Sequence, residues 1–299
     1  MKRVAAIDLG TNTFHLLITE KDGQGFKEIF RERRWVSLAE DGIECFSEKV
    51  LNRAWIALDS FAKLIVEHRV EEIRTTGTEA FRSASNGIRF LEQIQERYNI
   101  SVDVISGERE AELIYKGTSL LFPGSIIPNI IMDIGGGSTE FVIYDKNGIK
   151  WLHSYKAGVT HLYNLFVHSD PISEQDFAAL RAYLQELFSS FQLQELHPQS
   201  ELVGASGSFE VLESMLQKPD HIGKVNTFSL KEFYEVYKEI QYSSLNERLE
   251  HPGIPNDRAK LIVVAFTLID EVIQLLKPSR ILVSPYALKE GLVKEMLEI

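Results

Sequence analysis

Apolar and polar positions along this chain switch repeatedly between two periods. Short runs rich in β-branched and aromatic residues predict strands over Arg3–Leu9, Phe14–Glu20, Phe26–Arg33, Glu72–Thr76, Ser101–Ile105, Ile130–Ile134, Glu140–Tyr144, Ile149–Tyr155, Glu201–Val203 and Arg280–Val283. Between them the apolar residues recur at three- and four-residue steps. Over Ser47–His68 these are Val50, Leu51, Ala54, Trp55, Leu58, Phe61, Ala62 and Ile65, and Ile88–Tyr98 shows the same period. Ser173 with Asp176, and Ser229 with Glu232, have the spacing of a capping box and mark helix starts. A long helix is predicted around Leu261–Lys277, bracketed by Pro255 and Pro278. Strands that alternate with helices from end to end predict an α/β protein.

The pattern also repeats once at long range. AAIDLGTNTFHLLITEKDG (5–23) and IIMDIGGGSTEFVIYDKNG (130–148) align without a gap, pairing Asp8 with Asp133, Gly10 with Gly135, Thr13 with Ser138 and Gly23 with Gly148 at a constant offset of 125. Two copies at so long a period are not a solenoid. They predict two similarly folded lobes, each opening with a strand, an Asp, a Gly-rich turn, a second strand and a Gly-containing hairpin. The Pro- and Gly-containing stretch Phe122–Asn129 is the predicted boundary. The lobes are thus expected at 1–124, joined by a final helix at about 287–299, and at 125–286. That helix, Leu288–Leu297, is expected to pack back on the first lobe and make it discontinuous.

Composition narrows the classes. A chain of 299 residues, 44% hydrophobic and 25% charged, suits two globular domains and excludes extensive disorder. Lys and Arg number 32 against 43 Asp and Glu, a net charge of −11. Non-specific binding to a nucleic acid polymer or an anionic membrane is therefore disfavoured. The lone Cys45 cannot close an intramolecular disulfide or build a thiolate metal site, which points to a reducing cytoplasm. The first apolar stretch stops at Asp8, too early for a secretory signal, and the most apolar segment, Leu261–Leu276, carries Asp270 and Glu271. No membrane span is expected.

An Asp followed by a Gly-rich turn and a hydroxyl residue at a strand end has specific chemical uses. The glycines let successive amides converge on one phosphate group, the hydroxyl adds a donor, and the Asp can hold a divalent cation. The plain alternative is that the glycines only make turns which the Asp residues cap; it accounts for the turns but not for their duplication. Further along, Ser106-Gly107 ends a strand, and Glu108, Glu110 and Glu112 open a helix, where Glu108 and Glu112 complement the macrodipole.

These segments together resemble a known family. IDLGTNTFHLLI, TGTEAFRSASNG, ISGEREAELIYKG, MDIGGGSTEF, AGVTHLYNLF, GASGSF, PNDRAKLIVVAFTLIDEVI and VSPYALKEGL, in this order, are similar to the exopolyphosphatase and guanosine pentaphosphate phosphohydrolase family across essentially the whole chain. The resemblance implies two ribonuclease-H-like lobes of the actin-like ATPase superfamily with an active site in the cleft between them. It also implies roles. Glu110 matches the catalytic base that deprotonates the attacking water. Asp133 and Glu140 match the acidic metal-binding positions, where Mg²⁺ or another divalent cation would neutralise charge on the phosphate oxygens, with Asp8 as a further candidate; alternatively Glu140 merely starts a strand. Gly135, Gly136, Gly137 and Ser138 match one phosphate loop, and Gly10, Thr11, Asn12 and Thr13 the other. Arg82 matches the phosphate-binding arginine, whose planar fork suits a terminal phosphoryl group. Gly204–Ser208 resembles the glycine loop of the second lobe.

Arg31, Arg33 and Arg34 form the densest basic cluster and either guide a polyanion or lie on a solvated strand face. None of the eight histidines sits in a zinc or triad setting. The expected activity is therefore removal of terminal phosphate from inorganic polyphosphate with Mg²⁺ and a Glu-activated water. The alternative is a guanosine pentaphosphate (pppGpp) 5′-phosphohydrolase. A sugar or acyl kinase of the same fold and a non-catalytic polyphosphate or alarmone sensor are more distant readings; Glu110, Asp133 and Glu140 speak for hydrolysis over both. The chain resembles the short, two-domain form of the family, with a homodimer compatible with this reading.

Overall fold

A computed structural model describes residues 2–122, 124, 126–191, 196–216 and 225–299. Of the predicted boundary Phe122–Asn129, Pro123 and Ser125 lie outside the described residues. The chain divides into two compact units. One comprises Met1–Leu120, Gly135–Gly137 and Tyr286–Ile299, the other Leu121–Ile134 and Ser138–Pro285.

The first unit runs β1 (Arg3–Leu9), β2 (Thr13–Asp22), β3 (Gly25–Trp35), α1 (Glu48–Glu67), β4 (Glu72–Gly77), α2 (Glu79–Ser83), α3 (Gly87–Tyr98), β5 (Asp103–Val104) and α4 (Gly107–Thr118). Its sheet has the order β3-β2-β1-β4-β5. The hairpins β1–β2 and β2–β3 are antiparallel, whereas β4 joins β1 in parallel, with Asp8 beside Thr76. Central β1 is buried on both faces, which explains its unbroken apolar run. Helix α1 presents Val50, Ala54, Ala57, Leu58, Phe61 and Ile65 to the sheet. Phe61 is fully buried, worth about 2–3 kcal/mol, and the Trp55 and Phe90 rings meet edge to face at 4.7 Å. The strand expected over Ser101–Ile105 shrinks to Asp103–Val104, because this edge strand pairs only with Thr76 and Gly77.

The second unit continues with β6 (Asn129–Ile134), β7 (Thr139–Asp145), β8 (Gly148–Tyr155), α5 (Val159–Phe166), α6 (Glu174–Leu187), β9 (Leu202–Ala205), α7 (Gly207–Met215), β10 (Asn226–Phe228), α8 (Leu230–Ile240), α9 (Leu245–Glu250), α10 (Asn256–Ala259), α11 (Ile262–Leu276) and β11 (Ile281–Ser284). Its sheet order, β10-β11-β9-β6-β7-β8, repeats the antiparallel pair of hairpins followed by parallel strands. Helix α11 is buried along Ile262–Ile273, Asp270 and Glu271 included. Those carboxylates are tolerated because the Arg181 guanidinium pairs with both. Ser229 and Glu232 cap each other reciprocally at the start of α8, and Ser244 and Glu247 do the same at α9. At α6 only half of the expected box forms. Ser173 accepts from the Asp176 amide, but the Asp176 carboxylate is turned to the His168 amide and ring.

The last helix, α12 (Leu288–Leu297), packs on α4 and β1. Two glycines allow the approach to α4. A methyl group on Gly117 would lie 1.9 Å from the Ala287 carbonyl oxygen, and one on Gly291 would lie 2.0 Å from that of Leu113. Among the described residues no helix is long and apolar enough to cross a membrane.

Candidate active site

Local backbone bonding shapes the turn between β1 and β2. The Thr11 carbonyl accepts from the Leu38 amide at 2.7 Å, and that of Asn12 from Val36 and Ser37, both at 2.8 Å. In a trans peptide the carbonyl and the following N–H point apart, so the amides after Thr11 and Asn12 face the other side of the turn. Amides gathered on one side are the donors of an anion-binding nest. Thr11, Asn12 and Thr13 are all buried, and a methyl group on Gly10 would lie 2.9 Å from the Thr13 carbonyl oxygen.

Residues Gly135–Gly137 cluster with the same unit. Here the need for glycine is steric. A methyl group on Gly136 would stand 2.7 Å from the Asn12 side chain, and one on Gly137 would stand 2.8 Å from Glu79 Cγ and 3.0 Å from Thr11 Oγ1. Any larger residue would push the two glycine turns apart.

Behind them lies an ion-pair chain. Ser106 caps α4 by accepting from the Arg109 amide, which places Glu110 in the first turn of that helix, buried at 8% exposure. Arg82, on α2, donates through Nη1 and Nη2 to Glu110 Oε2 at 3.1 and 3.2 Å. Its Nη1 also donates to the Ile105 carbonyl at 2.5 Å, and its Nε to Glu79 Oε2 at 2.9 Å. Burial disfavours the guanidinium charge, but Glu110 and Glu79 outweigh it and hold the Arg82 pKa above its ordinary value. The structure therefore brings Arg82 and Glu110 into direct contact and adds Glu79, to which the motif comparison assigned no role. The Glu-x-x-Arg spacing in TEAFR was the available signal, since i and i+3 side chains share a helix face.

Asp8, at the end of β1, has a buried Oδ1 without a hydrogen-bond partner, and so has the hydroxyl of Thr76, its neighbour in register on β4. Burial pushes the Asp8 carboxyl up to about 7; Lys289 pulls it down and Glu290 pushes it further up. Lys289 pairs with Glu290 at 3.5 Å, and Glu290, fully buried, also pairs with Arg31 at 2.9 Å.

In the second unit Asp133 stands directly opposite Glu140 across the β6–β7 hairpin, and Ser154, next in register on β8, donates to Glu140 Oε1 at 2.7 Å. Glu140 is 1% exposed. Directly opposed residues share a sheet face, so the two carboxylates form an adjacent pair. Ser138 is buried beside them in sequence. Among the described residues no group of three or more His, Cys, Asp or Glu is gathered as a metal cage. Ser206 of the Gly204–Ser208 segment has φ of 99° and accepts from the Ile134 amide at 3.2 Å, tying this loop to the end of β6.

The three arginines of β3 do not form one patch. Arg31 and Arg33 lie on one face and Arg34 on the other. Arg31 pairs with Glu28 and Glu290, and Arg34 with Glu32.

Two mixed sheets of matching order, each carrying an Asp and a Gly-rich turn at its central hairpin, define a duplicated α/β protein. The chain belongs to the Ppx/GppA phosphatase family, whose model matches residues 17–299. It is similar to an exopolyphosphatase from Cytophaga hutchinsonii, with 36% identity over 99% of this chain and 98% of that one and a TM-score of 0.94. An Aquifex aeolicus Ppx/GppA family member, at 24% identity and a TM-score of 0.83 over 99% and 98% of the two chains, shares the fold. A Vibrio vulnificus guanosine-5′-triphosphate,3′-diphosphate pyrophosphatase is 30% identical over 98% of this chain. The chain spans 59% of that relative's length.

Proposed function

We propose that the chain hydrolyses the terminal phosphoanhydride of inorganic polyphosphate, with water as acceptor. The observation that carries this reading is the contact of Arg82 with Glu110 in the unit that also holds the Thr11–Thr13 turn. It joins a phosphate-binding fork to a carboxylate base, beside amides suited to phosphate oxygens. Arg82 would bind the terminal phosphoryl group and Glu110 would take the proton of the attacking water. The turns at Gly10–Thr13 and Gly135–Ser138 would hold the phosphate oxygens.

A divalent cation fits the residues present. Mg²⁺ is commonly held by one or two carboxylates and completes its shell with water and substrate phosphates. The opposed Asp133 and Glu140 of the second unit supply such a pair. When bound, the cation would offset charge developing on the phosphate oxygens. Glu140 is held for that task by Ser154, and burial limits competing water.

Polyphosphate is preferred as substrate because the exopolyphosphatase match extends over nearly the whole of both chains, whereas this chain covers only part of the pyrophosphatase relative. The pppGpp reading is kept on the strength of that second relative. A cytoplasmic location is part of this proposal, supported by the lone Cys45, a pattern natural to a reducing compartment. The test is phosphate release from long-chain polyphosphate, pppGpp and ATP in parallel, with and without Mg²⁺. Faster release from polyphosphate supports the reading, faster release from pppGpp selects the second, and binding without release removes both in favour of a sensor.

A further inference from the structure

Glu79 is an unusual carboxylate for the first turn of a five-residue helix. It is only 6% exposed, so it is not there merely to complement a dipole from solvent. Both of its oxygens are engaged. Oε2 accepts from Arg82 Nε at 2.9 Å and Oε1 from Ser83 Oγ at 2.7 Å. Its stem lies under the glycine turn, where a methyl group on Gly137 would come within 2.8 Å of Cγ. One guanidinium is thus shared by two buried carboxylates that use different nitrogens: Glu79 takes Nε, and Glu110 takes Nη1 and Nη2.

This division has a consequence for the hydrolysis proposed above, on which the inference rests. While both Nη groups hold Glu110, the carboxylate that should accept a proton is tied to a cation, and the arginine that should bind phosphate is occupied. An incoming phosphoryl group needs those same two donors. If Glu110 were the sole partner of Arg82, separating them would leave one buried charge unpaired, the costly way to break a buried pair. With Glu79 on Nε, the guanidinium keeps a counter-charge and an anchor throughout the exchange.

We propose that Glu79 is a positioning residue: it clamps the Nε edge of Arg82 so that the Nη donors pass from Glu110 to the terminal phosphoryl group, which releases Glu110 to act as base. Removing its charge strengthens the hold of Arg82 on Glu110 and slows the exchange. Removing the whole side chain also frees the guanidinium to swing.

The test is a double-mutant cycle read as kcat and KM on sodium polyphosphate. Glu79→Gln, whose carbonyl oxygen can still accept from Arg82 Nε while its amide NH2 donates to Ser83 Oγ, is expected to lower kcat about tenfold while KM changes less than about threefold and the melting temperature holds. In an Arg82→Ala background the same substitution should change kcat less than about twofold, because its effect runs through Arg82. Wild-type kcat in Glu79→Gln, or an equal loss in both backgrounds, overturns the proposal and leaves the hydrolase reading intact. An inactive wild type removes that reading and the proposal with it. A second measurement uses the unmodified protein: the Arg82 Nε–H resonance should stay protected from exchange when inorganic phosphate saturates the site, and loss of that protection would also overturn the proposal.

Discussion

Asp133 faces Glu140 as a directly opposed pair across the β6–β7 hairpin, with Ser154 fixing Glu140 from the next strand. Two carboxylates so placed repel one another unless a cation or a proton lies between them. Asp133→Asn and Glu140→Gln are each expected to raise the Mg²⁺ concentration needed for half-maximal phosphate release by about tenfold or more, and to lower the saturated rate about a hundredfold. A Mg²⁺ titration of activity checks both, and an unchanged midpoint would overturn the assignment of a cation to this pair.

Glu110→Gln keeps the shape of the side chain and a hydrogen bond to Arg82 but cannot take a proton. Phosphate release should fall by about two to four orders of magnitude, while polyphosphate binding measured by calorimetry stays within a few-fold of wild type. A small rate loss would show that water is activated elsewhere.

Helix α12 meets α4 through backbone, so Gly291→Ala tests packing separately from chemistry. Its methyl group would sit 2.0 Å from the Leu113 carbonyl oxygen, and neither backbone can yield as a flexible side chain would. A destabilisation of about 2–3 kcal/mol is expected by urea unfolding. A change below about 0.5 kcal/mol would mean that the two helices separate at little cost.

Asp8 predicts a pH dependence of stability. Its carboxyl sits at about 7 in the folded protein against an ordinary value of 3.8. Between those two values the folded state binds more protons than the unfolded one, so this group's contribution to stability falls as pH rises through that window. Asp8→Asn removes the dependence. Its melting temperature should gain on wild type from pH 4 to pH 7 in the absence of divalent cation, and added Mg²⁺ should narrow the gap above pH 7. Parallel pH profiles for the two proteins would show that Asp8 ionises normally.

Much of this architecture can be read along the chain because long-range demands coincide with local ones. The central strands β1 and β6 are apolar on both faces, and α1 keeps its period over twenty residues, so pattern and fold agree. The short elements escape. Strand β10 owes its three residues to pairing with β11, and α2 is a single turn closed by Arg82 and Ser83 gripping Glu79. For the site, motif order places Glu110 and Arg82 among the candidates, and the fold brings them into contact although 28 residues apart. For Glu79 the chain offers only the Glu-x-x-Arg spacing; its burial beneath a glycine turn is tertiary and shows only in the fold.

The return of α12 to the first unit also sets the timetable of synthesis. The surfaces of β1 and α4 that it covers are translated early, yet their partner leaves the ribosome only after every residue of the second unit has been made. Nascent chains usually fold domain by domain from the N-terminus. Until Leu288–Leu297 has been translated, the faces of α4 and β1 that this helix covers have no partner from it, so the first unit completes its packing only after the second has been made.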